Sequence, residues 1–480
     1  MVIALDIGTS SARASVYDAA GRPVAGRFHQ VAYEPTVTPD GGVEHDPASL
    51  LDAVATCLDA LTADGRGDDG VHAVGVTTFW HGLLGLDAAG RAVTALYTWA
   101  DSRAAADAAR LRQELDEDAL HARTGCHLHA SYWPAKLRWL ARERRRETAR
   151  VARWGSFGEY LELALFGQAA TSVSMASGTG LFDAGASTWD AESLAAAGID
   201  ASRLFVVVDR TEGRQGLRTP WADRWPALRA VPWYPAVGDG AAGNVGSGCV
   251  TADRLALNVG TSAALRLVPP SAVTPPRGLW RYAVDRKTPL LGGATSEGGN
   301  VVAWCREVLR LPDDAAVERA LAERPADGHR LTVLPFLAGE RAPGWRADKR
   351  AVIAGLSLDT SALDIVHAAM EAVALRLALV YRLLAAHARA EHLIVASGGA
   401  TRSRAWTQIL ADALGHAVTW SHEPEATSRG AALLALDALG VLTNPASVRA
   451  PLGETFVPDP ERHARYVAAL ERQTAFDDKV

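Results

Sequence analysis

The chain has 480 residues, of which 48% are hydrophobic and 22% charged, and its formal net charge is −6. This length exceeds that of one ordinary hydrophobic core, so we expect two globular domains. The acidic balance and the lack of a basic stripe argue against a nucleic-acid partner. No stretch of sequence is long, apolar and uncharged enough to span a bilayer, so we expect no membrane partner.

The N-terminus and the cysteines predict the compartment. The opening "MVIALDIG" has neither the basic flank nor the cleavage site of a signal peptide. The four cysteines are scattered and form no C-x-x-C pair. They are typical of buried thiols in a reducing compartment, rather than of a zinc site or a disulfide framework. The sequence therefore predicts a cytoplasmic location.

The first half of the chain alternates apolar runs with turns. The runs "VIALDIG", "ARASVYDAAGRPV" and "RFHQVAY", with a "DAAG" turn that suggests a hairpin between the last two, predict a β-meander. "DPASLLDAVATCLDAL" predicts a helix with Asp46 as its N-cap and Pro47 in its first turn. "VHAVGVTTF" predicts a strand, and helices and strands alternate from there. This order predicts an α/β fold with mixed, partly parallel sheets.

The second half opens a similar series. "RLALNVGTSAALRLV" predicts strand, turn and strand, and "PLLGGATSEGGNVVAWCREVL" predicts a strand, a glycine-rich turn and a helix. "TSALDIVHAAMEAVALRLALVYRLLAAHA" predicts a long helix, and "HLIVASGGATRSRAWTQILADALG" predicts strand, turn and helix. The halves resemble diverged copies of one fold, joined near residues 240–250. We therefore expect domains at 1–242 and 243–480.

Two segments match the G-x-G-x-x-G dinucleotide fingerprint, and neither has its context. The first, at Gly65, Gly67 and Gly70, follows a predicted helix and precedes a strand, which is the wrong order. The second begins at Gly238 and precedes a predicted helix but lacks the βαβ unit. A nicotinamide or flavin enzyme is therefore disfavoured.

Two Gly-Thr-Ser turns are better candidates for phosphate binding. "LDIGTSSARASVYD" at 5–18 and "LNVGTSAALRLV" at 257–268 each place the turn between two apolar runs. Such a turn directs backbone N–H groups and hydroxyls inward, as an anion-binding nest does. Asp6 precedes the first turn and offers a hard oxygen for Mg²⁺, whereas Asn258 at the equivalent place is neutral. Each turn alone is also compatible with an ordinary hairpin.

A third turn, in "VASGGATRS", allows a backbone to approach a flat ligand closely at Gly398 and Gly399. With these three turns in place, the chain resembles the FGGY carbohydrate kinases, members of the actin-like ATPase group, over essentially its whole length. "DIGTSSARASVYD" resembles the first phosphate loop of that family, "NVGTS" the second, and "SGGATRS" the adenosine motif. "AVIAGLSLDTSALDIVHAAME" resembles its C-terminal signature.

The resemblance implies two actin-like (ribonuclease H-like) domains with a cleft between them, and ATP with Mg²⁺ as cofactors. We predict Asp6 as the metal residue, because of the hard oxygen that it offers before the first turn. The resemblance places the following residues at the nucleotide: Thr9, Ser10, Ser11, Arg13, Gly260, Thr261, Gly299, Gly399, Ala400 and Ser403.

The resemblance also implies an acceptor site. "GDGAAGNVGSG" resembles the segment whose aspartate takes the proton from the sugar hydroxyl, here Asp239. "FWHG" resembles the substrate segment and gives Trp80 and His81, with Trp80 where methionine is usual. "TWADSRA" adds Asp101 and Arg103.

Several segments resemble gluconate kinases in particular, among them "TWADSRA", "SMASGTGLFD", "LAGERAP" and "TGCHLHASYWPAKLRWL". We therefore expect a gluconate-like sugar acid, with Arg103 and Lys136 as cations for its carboxylate. Trp133, Ser172 and Glu297 depart from the family pattern. The alternatives are a pentulose kinase for xylulose or ribulose and, more remotely, a nonenzymatic actin-like ATPase. The expected partner is a small carbohydrate, with a possible homodimer as the assembly.

Overall fold

The computed structural model describes residues 1–63 and 70–480. Gly65 and Gly67 of the first fingerprint lie outside these residues. Within the described residues, no helix combines the length and apolarity needed to cross a membrane. Two large mixed sheets flanked by helices form the framework, one in each half of the chain. The predicted α/β class with mixed sheets is confirmed.

The first sheet contains the predicted meander, which runs from the central strand of the sheet to one of its edges. Its strands are, in spatial order, Val237–Gly238, Ala73–Thr78, Val2–Ile7, Ser11–Tyr17 and Pro23–Ala32. Val2–Ile7 pairs antiparallel with Ser11–Tyr17 and parallel with Ala73–Thr78. All six residues of Val2–Ile7 are buried, as expected of a central strand that is covered on both faces.

The helix Pro47–Thr62 covers one side of this meander. Asp46 caps its N-terminus by accepting the N–H groups of Ala48 and Ser49, and Pro47 occupies its first turn, as predicted. The helix packs against the strands Ser11–Tyr17 and Pro23–Ala32.

The rest of the first half supplies short elements around the edge of the sheet. Its short strands are Thr36–Val37, Val43–His45, Leu84–Leu86, Leu96–Tyr97, Arg153–Gly155, Thr171–Ser172, Phe182–Asp183, Thr188–Trp189 and Val207–Val208. Its helices are Ala105–Glu114, Glu117–Thr124, Trp133–Glu143, Arg145–Thr148, Phe157–Phe166, Val173–Ser177, Ala191–Ala197, Trp221–Arg224 and Asp239–Gly246, with 3₁₀ turns at Ala201–Arg203 and Pro226–Leu228.

The second sheet repeats the central pairing of the first. Its strands are, in spatial order, Trp280–Ala283, Pro289–Thr295, Ala263–Leu267, Arg254–Val259, Leu393–Gly398, Val418–Ser421 and Leu452–Phe456. Arg254–Val259 pairs antiparallel with the strand that follows its turn and parallel with Leu393–Gly398. Asn258 and Asp6 each stand one residue before the end of the central strand of their sheet, so the predicted equivalence of the two positions is confirmed.

The second half of the chain also contains a series of helices. They are Gly299–Val308, Asp314–Glu323, Ala362–Ala385, Arg404–Leu414, Ala426–Ala438 and Pro460–Asp477, with 3₁₀ turns at Gly399–Arg402 and Pro445–Ser447 and a two-stranded sheet of Thr332–Leu334 and Val352–Ala354. The long helix Ala362–Ala385 begins with a capping box between Ser361 and Asp364.

One helix of the second half packs against the first sheet. Ala426–Ala438 contacts Asp239–Gly246 and the strand Val2–Ile7. A Cβ atom at Gly246 would lie 1.7 Å from the carbonyl oxygen of Ala426, and one at Gly430 would lie 1.8 Å from that of Ala242. These glycines therefore let the two helix backbones touch. The predicted division between residues 242 and 243 falls inside the helix Asp239–Gly246, and it stays a prediction.

Candidate active site

Three parallel strands of the first sheet end at one edge, and each delivers a polar residue there. The central strand carries Asp6 one residue before its end. Its parallel neighbour runs into Trp80 and His81, and the edge strand beyond runs into Asp239. Ligands of open α/β sheets bind outside the carboxyl ends of strands, so the fold brings these four predicted residues to a plausible binding edge.

The two Gly-Thr-Ser turns are closed by similar backbone bonds. Gly8 donates its N–H to the carbonyl of Ser11 at 2.9 Å, and Gly260 donates to the carbonyl of Ser262 at 2.9 Å. The carbonyl of Gly260 also accepts the N–H of Gly299 at 2.6 Å. This last contact fixes the second turn against the start of the helix Gly299–Val308.

The predicted nucleotide residues of the first turn differ in exposure. Ser10 is exposed and Thr9 is half-buried, whereas Ser11 is buried at the start of the following strand. The hydroxyl of Tyr33 donates to the carbonyl of Gly8 at 2.7 Å and so fixes the position of the turn. Thr9 and Ser10 are therefore the better placed of the three to meet a phosphate.

Asp6 lies in a cluster of charges that draws on both halves of the chain. Its carboxylate accepts a hydrogen bond from Arg13 at 3.1 Å, and the same guanidinium nitrogen lies 3.6 Å from Glu425. Burial raises the pKa of Asp6 to about 7, against the effect of Arg13, and the charges of Asp239 and Glu425 raise it further. Two carboxylates thus share the guanidinium of Arg13 with a third, Asp239, nearby, so an added Mg²⁺ would relieve the excess negative charge. Sequence reasoning missed Glu425.

A cavity of about 80 Å³ opens beside this cluster. Both halves of the chain contribute to its wall, whereas the sequence placed the sugar contacts mainly in the first half. Its lining residues are Trp80, His81, Trp99, Asp239, Asn258, Ser262, Ala263, Ala264, Arg266, Trp280, Tyr282, Ala294 and Arg341. Among the predicted acceptor residues, Trp80, His81 and Asp239 are brought together here.

Asp239 is the first residue of the helix Asp239–Gly246. One carboxylate oxygen accepts the N–H of Gly240 at 2.7 Å. Burial raises the pKa of Asp239, while the positive charges of Arg266 and Arg341 lower it in part. A raised carboxyl pKa suits a group that must accept a proton during turnover.

His81 is held in one orientation. Its backbone has a positive φ of 68°, which is unusual for a residue with a side chain and is found at functional sites. Its Nδ1 lies 2.6 Å from the carbonyl oxygen of Gly178. Because a carbonyl only accepts, Nδ1 carries the proton, and Nε2 is left as an acceptor. Burial, with the charge of Arg341, holds the pKa of His81 well below its usual range, so the ring is neutral.

Trp80 forms an aromatic wall of the cavity. Its indole N–H donates to the carbonyl of Ser174 at 2.9 Å. A Cβ atom at Gly238 would lie 2.0 Å from the indole, so only glycine fits there. The rings of Trp280 and Tyr282 stack at 4.0 Å beside it, and Trp80 lies edge-on to both rings.

Asp101, Arg103 and Lys136 lie outside the lining of this cavity. Arg103 is paired with Asp101 and with Glu44, and its guanidinium lies 4.5 Å from the ring centroid of Trp139. All three N–H groups of Lys136 are used by backbone carbonyls. Lys136 therefore has no free donor, Arg103 is already paired with two carboxylates, and neither residue lines the cavity, so their predicted contact with a substrate carboxylate lacks support.

Two arginines that the sequence analysis did not select have the free positive charge that was expected of Arg103 and Lys136. Arg266 and Arg341 line the cavity, and their Nε atoms are buried without a hydrogen-bond partner. No ion pair or hydrogen bond joins either guanidinium to another residue of 1–63 or 70–480; Arg341 only lies over Trp99, at 5.1 Å. Burial lowers the pKa of Arg266, an effect that Asp239 partly offsets. In the sequence, Arg266 is the one charged residue of the otherwise apolar run "AALRLV", and this pattern could have marked it as a candidate functional residue.

A larger cavity of about 500 Å³ lies in the second half, at the adenosine motif. Its wall includes three predicted nucleotide residues, Gly299, Gly399 and Ser403. Glu318, which the sequence did not single out, accepts the hydroxyl of Ser403 at 2.7 Å and the N–H of Ala405 at 2.8 Å. This carboxylate fixes the turn that forms the cavity wall.

Three predicted nucleotide residues of the second half do not line that cavity. Ala400 is buried in the 3₁₀ turn beside it, and Gly260 and Thr261 form the phosphate turn.

Glu297 departs from the family pattern but does not line the 80 Å³ cavity. Its carboxylate accepts the N–H of Ala338 at 3.1 Å. Burial raises its pKa to about 8, so it is largely uncharged at neutral pH. It therefore presents little negative charge to an anionic acceptor.

Asp327, His329 and Glu371 bring potential metal-ligand atoms within 4.8 Å of one another. The Nδ1 of His329 accepts the N–H of Leu331 at 2.9 Å, which places the ring proton on Nε2. That N–H then donates to Glu371, 2.8 Å away. A metal-bound histidine needs a free lone pair on one ring nitrogen, whereas here Nδ1 already accepts a hydrogen bond and Nε2 carries the proton. Hydrogen bonding accounts for this group without a metal.

Known proteins resemble this chain over its whole length. The family model "FGGY family of carbohydrate kinases, N-terminal domain" matches residues 1–246, and the C-terminal domain model matches 255–439. A gluconokinase of Bacillus subtilis is 28% identical over 95% of this chain and 91% of its own length. A glycerol kinase of Rhodospirillum rubrum is 32% identical over 93% of this chain and 92% of its own.

Solved structures extend the same comparison. A ligand-bound xylulose kinase from Lactobacillus acidophilus superposes with a TM-score of 0.91 at 26% identity, covering 100% of this chain and 98% of its own. A gluconate kinase from Lactobacillus acidophilus gives a TM-score of 0.89 at 26% identity, covering 100% and 97%. Relatives of the chain thus act on different acceptors. The chain itself is a carbohydrate kinase that belongs to the FGGY family.

Proposed function

We propose that this kinase transfers the γ-phosphoryl group of ATP to a hydroxyl of an open-chain sugar acid such as D-gluconate. The observation that carries the acceptor class is a pair of cavity-lining arginines, Arg266 and Arg341, whose Nε atoms are buried and whose guanidinium groups have no ion-pair or hydrogen-bond partner among the described residues. Leaving a buried charge without a partner is costly. A substrate carboxylate would supply the missing partner and accept the free N–H groups in charge-assisted hydrogen bonds.

The neighbouring groups are compatible with an anion at this place. Glu297 lies outside the cavity and its pKa of about 8 keeps it largely neutral. The neutral His81 offers an acceptor for a substrate hydroxyl. The aromatic wall around Trp80 gives the carbon chain an apolar surface. Asp239 is the one carboxylate in the lining given above, so the two arginines leave that lining with a net positive charge.

In the proposed reaction, Asp239 receives the proton of the attacking hydroxyl. The hydroxyl oxygen forms a bond to the γ-phosphorus as the bond from that phosphorus to the leaving oxygen of ADP breaks. The Gly-Thr-Ser turns offer N–H groups and hydroxyls to the phosphates, and Arg13 offers a positive charge. Asp6, with Asp239 and Glu425 nearby, would hold Mg²⁺, which neutralises phosphate charge when bound. Catalysis then depends mainly on positioning and on charge.

The same proposal includes the nucleotide site, the division into two domains, the compartment and the assembly. The nucleotide residues are those of the two turns and of the 500 Å³ cavity. The two functional units are 1–242, which supplies Asp239 and His81 to the acceptor cavity, and 243–480, which supplies its two arginines and the adenosine site. We infer a cytoplasmic enzyme, since its four cysteines are free and buried, and a homodimer as its assembly.

The test compares acceptors that differ in one group. D-Gluconate and D-glucitol share a carbon chain, and only the first has a carboxylate. We expect kcat/KM to favour D-gluconate over D-glucitol, D-xylulose, D-ribulose and glycerol, by up to about 10⁴-fold, because a neutral acceptor leaves the cations unpaired. A neutral ketose that clearly exceeds D-gluconate would replace the proposal with a pentulose kinase, which the likeness to a xylulose kinase structure favours.

A pair of variants links the preference to the arginines. Arg341→Met should lower kcat/KM for D-gluconate and leave that for D-glucitol nearly unchanged. Arg277→Met is the matched control, because Arg277 is 78% exposed and lies outside the cavity. An equal loss for both acceptors in Arg341→Met would separate Arg341 from carboxylate recognition.

A further inference from the structure

Lys136 lies one layer behind the acceptor cavity. It is 1% exposed, and it stands in the first turn of the helix Trp133–Glu143. Its ammonium group donates to the carbonyls of His81 at 3.0 Å, Thr98 at 2.7 Å and Ser131 at 2.9 Å. An ammonium group has three N–H donors, so no donor is left for a substrate.

The three carbonyls belong to three separate loops, and two of these loops face the acceptor. His81 lines the cavity, and its positive φ of 68° depends on the surrounding contacts to persist. The carbonyl of Thr98 belongs to the peptide that leads into Trp99, which also lines the cavity and lies under the guanidinium of Arg341 at 5.1 Å. The third loop reinforces the second, because the hydroxyl of Ser131 donates to the carbonyl of Trp99 at 2.8 Å.

We propose that Lys136 is a positioning residue, whose ammonium group joins these three loops and so sets the places of His81 and Trp99 for the acceptor. The inference rests on the acceptor cavity proposed above and does not depend on the class of acceptor. Movement of a binding group by about 1 Å is enough to cost about 10²-fold in activity. Loss of the ammonium group should therefore weaken acceptor binding without a direct contact being removed.

The charges around Lys136 make this function sensitive to pH. Burial lowers the pKa of Lys136 to about 7; Asp101 opposes this effect, and Arg341 and Arg103 add to it. The charge of Lys136 in turn lowers the pKa values of His81 and His129, which face it. A neutral amine has only two N–H donors, so deprotonation leaves one of the three carbonyls without its donor.

The experiment uses the full-length enzyme and whichever of D-gluconate, D-xylulose, D-ribulose and glycerol the wild type phosphorylates best. Lys136→Met should raise KM for that acceptor about 10- to 100-fold, and KM for ATP should change by less than about twofold. Arg138→Met is the matched control, because Arg138 lies on the same helix and donates to the carbonyl of Ala196 at 2.6 Å, away from the cavity. A purely structural role of Lys136 would lower the fraction of active enzyme and leave the acceptor KM unchanged.

Chemical rescue tests the N–H donors themselves. Lys136→Ala removes the equivalent of n-propylammonium, so adding n-propylammonium should lower the acceptor KM, and tetramethylammonium, which has no N–H group, should not. If neither variant folds, the dissociation constant of the acceptor in the wild type, measured with a non-hydrolysable ATP analogue, should increase as pH rises through about 7. An unchanged acceptor KM in the variants, or a constant dissociation constant in the wild type, overturns the inference. Full activity of Asp239→Asn would instead overturn the proposed site.

Discussion

The Nδ1 atom of His81 lies 2.6 Å from the carbonyl oxygen of Gly178. This contact fixes the tautomer of a ring that lines the acceptor cavity, and burial keeps that ring neutral. We therefore expect His81 to act as a hydrogen-bond acceptor through Nε2, and not as a cation or a proton donor.

The first prediction concerns His81→Ala. We expect KM for the acceptor to rise about 10- to 100-fold, because a buried hydroxyl of the substrate loses its partner. The pH dependence of kcat/KM should keep its shape, since the wild-type ring does not titrate near neutral pH. Steady-state kinetics between about pH 6 and pH 9 check both outcomes. Loss of an acidic limb in the variant would mean that His81 does titrate during turnover.

The second prediction concerns Asp239→Asn. The variant should bind ATP normally and lose about 10²- to 10⁴-fold in kcat, the usual contribution of a positioned general base. Because burial raises the pKa of Asp239, wild-type activity should fall on the acid side at a pH above the ordinary carboxyl range. The variant should lack that fall. Near-normal kcat at saturating acceptor would exclude Asp239 as the base.

Features encoded in short segments could be predicted from the sequence. The Asp46 cap, the meander, the Gly-Thr-Ser turns and the strand-turn-helix at Gly399 each depend on neighbouring residues, and the structure has each of them. Trp80, His81 and Asp239 follow strands of one sheet, so their meeting follows from the parallel order of those strands.

The charged contacts could not be predicted in the same way. Lys136 was expected to face a carboxylate, yet two of its three acceptors lie 38 and 55 residues away in sequence. Arg266 and Arg341 reach the cavity from the second half, where no local pattern shows that their partners are missing. Whether an arginine is paired or free depends on distant segments, so only the tertiary structure distinguishes Arg103 from Arg341.

The third prediction tests the nucleotide cavity. Ala303 is exposed on the wall of the 500 Å³ cavity, so Ala303→Trp should fold and partly fill the space. KM for ATP should rise at least about tenfold through lost complementarity, while KM for the acceptor changes little. Ala322→Trp serves as the control, because Ala322 is exposed on the adjacent helix Asp314–Glu323 and lies outside the lining. Equal effects of the two substitutions would place ATP elsewhere.

The fourth prediction concerns metal binding at Asp6. Asp6→Asn should weaken the binding of Mn²⁺ in the presence of ADP, measured by its paramagnetic signal, because the removed charge is the deepest of the three carboxylates there. Activity should require more Mg²⁺ than in the wild type. Unchanged Mn²⁺ binding would remove Asp6 from the metal site.

The last prediction concerns the stability of the ligand-free enzyme. Asp6 has a folded-state pKa of about 7 against an ordinary value of 3.8. Between these two pH values the unfolded chain has released this proton and the folded chain retains it. The contribution of Asp6 to the free energy of unfolding therefore falls as pH rises through this window and is constant above about pH 7. Asp6→Asn lacks this pH-dependent contribution, which is on the order of a few kcal/mol.

The variant also loses the ion pair with Arg13, which the wild type forms only at pH values at which Asp6 is charged. We thus expect the melting temperature of Asp6→Asn, relative to wild type, to be higher at about pH 8 than at about pH 5. Differential scanning calorimetry without Mg²⁺ or ATP measures this difference. An identical offset at both pH values would mean that Asp6 ionises in the folded enzyme as an ordinary carboxylate does, and that Arg13 alone compensates its charge.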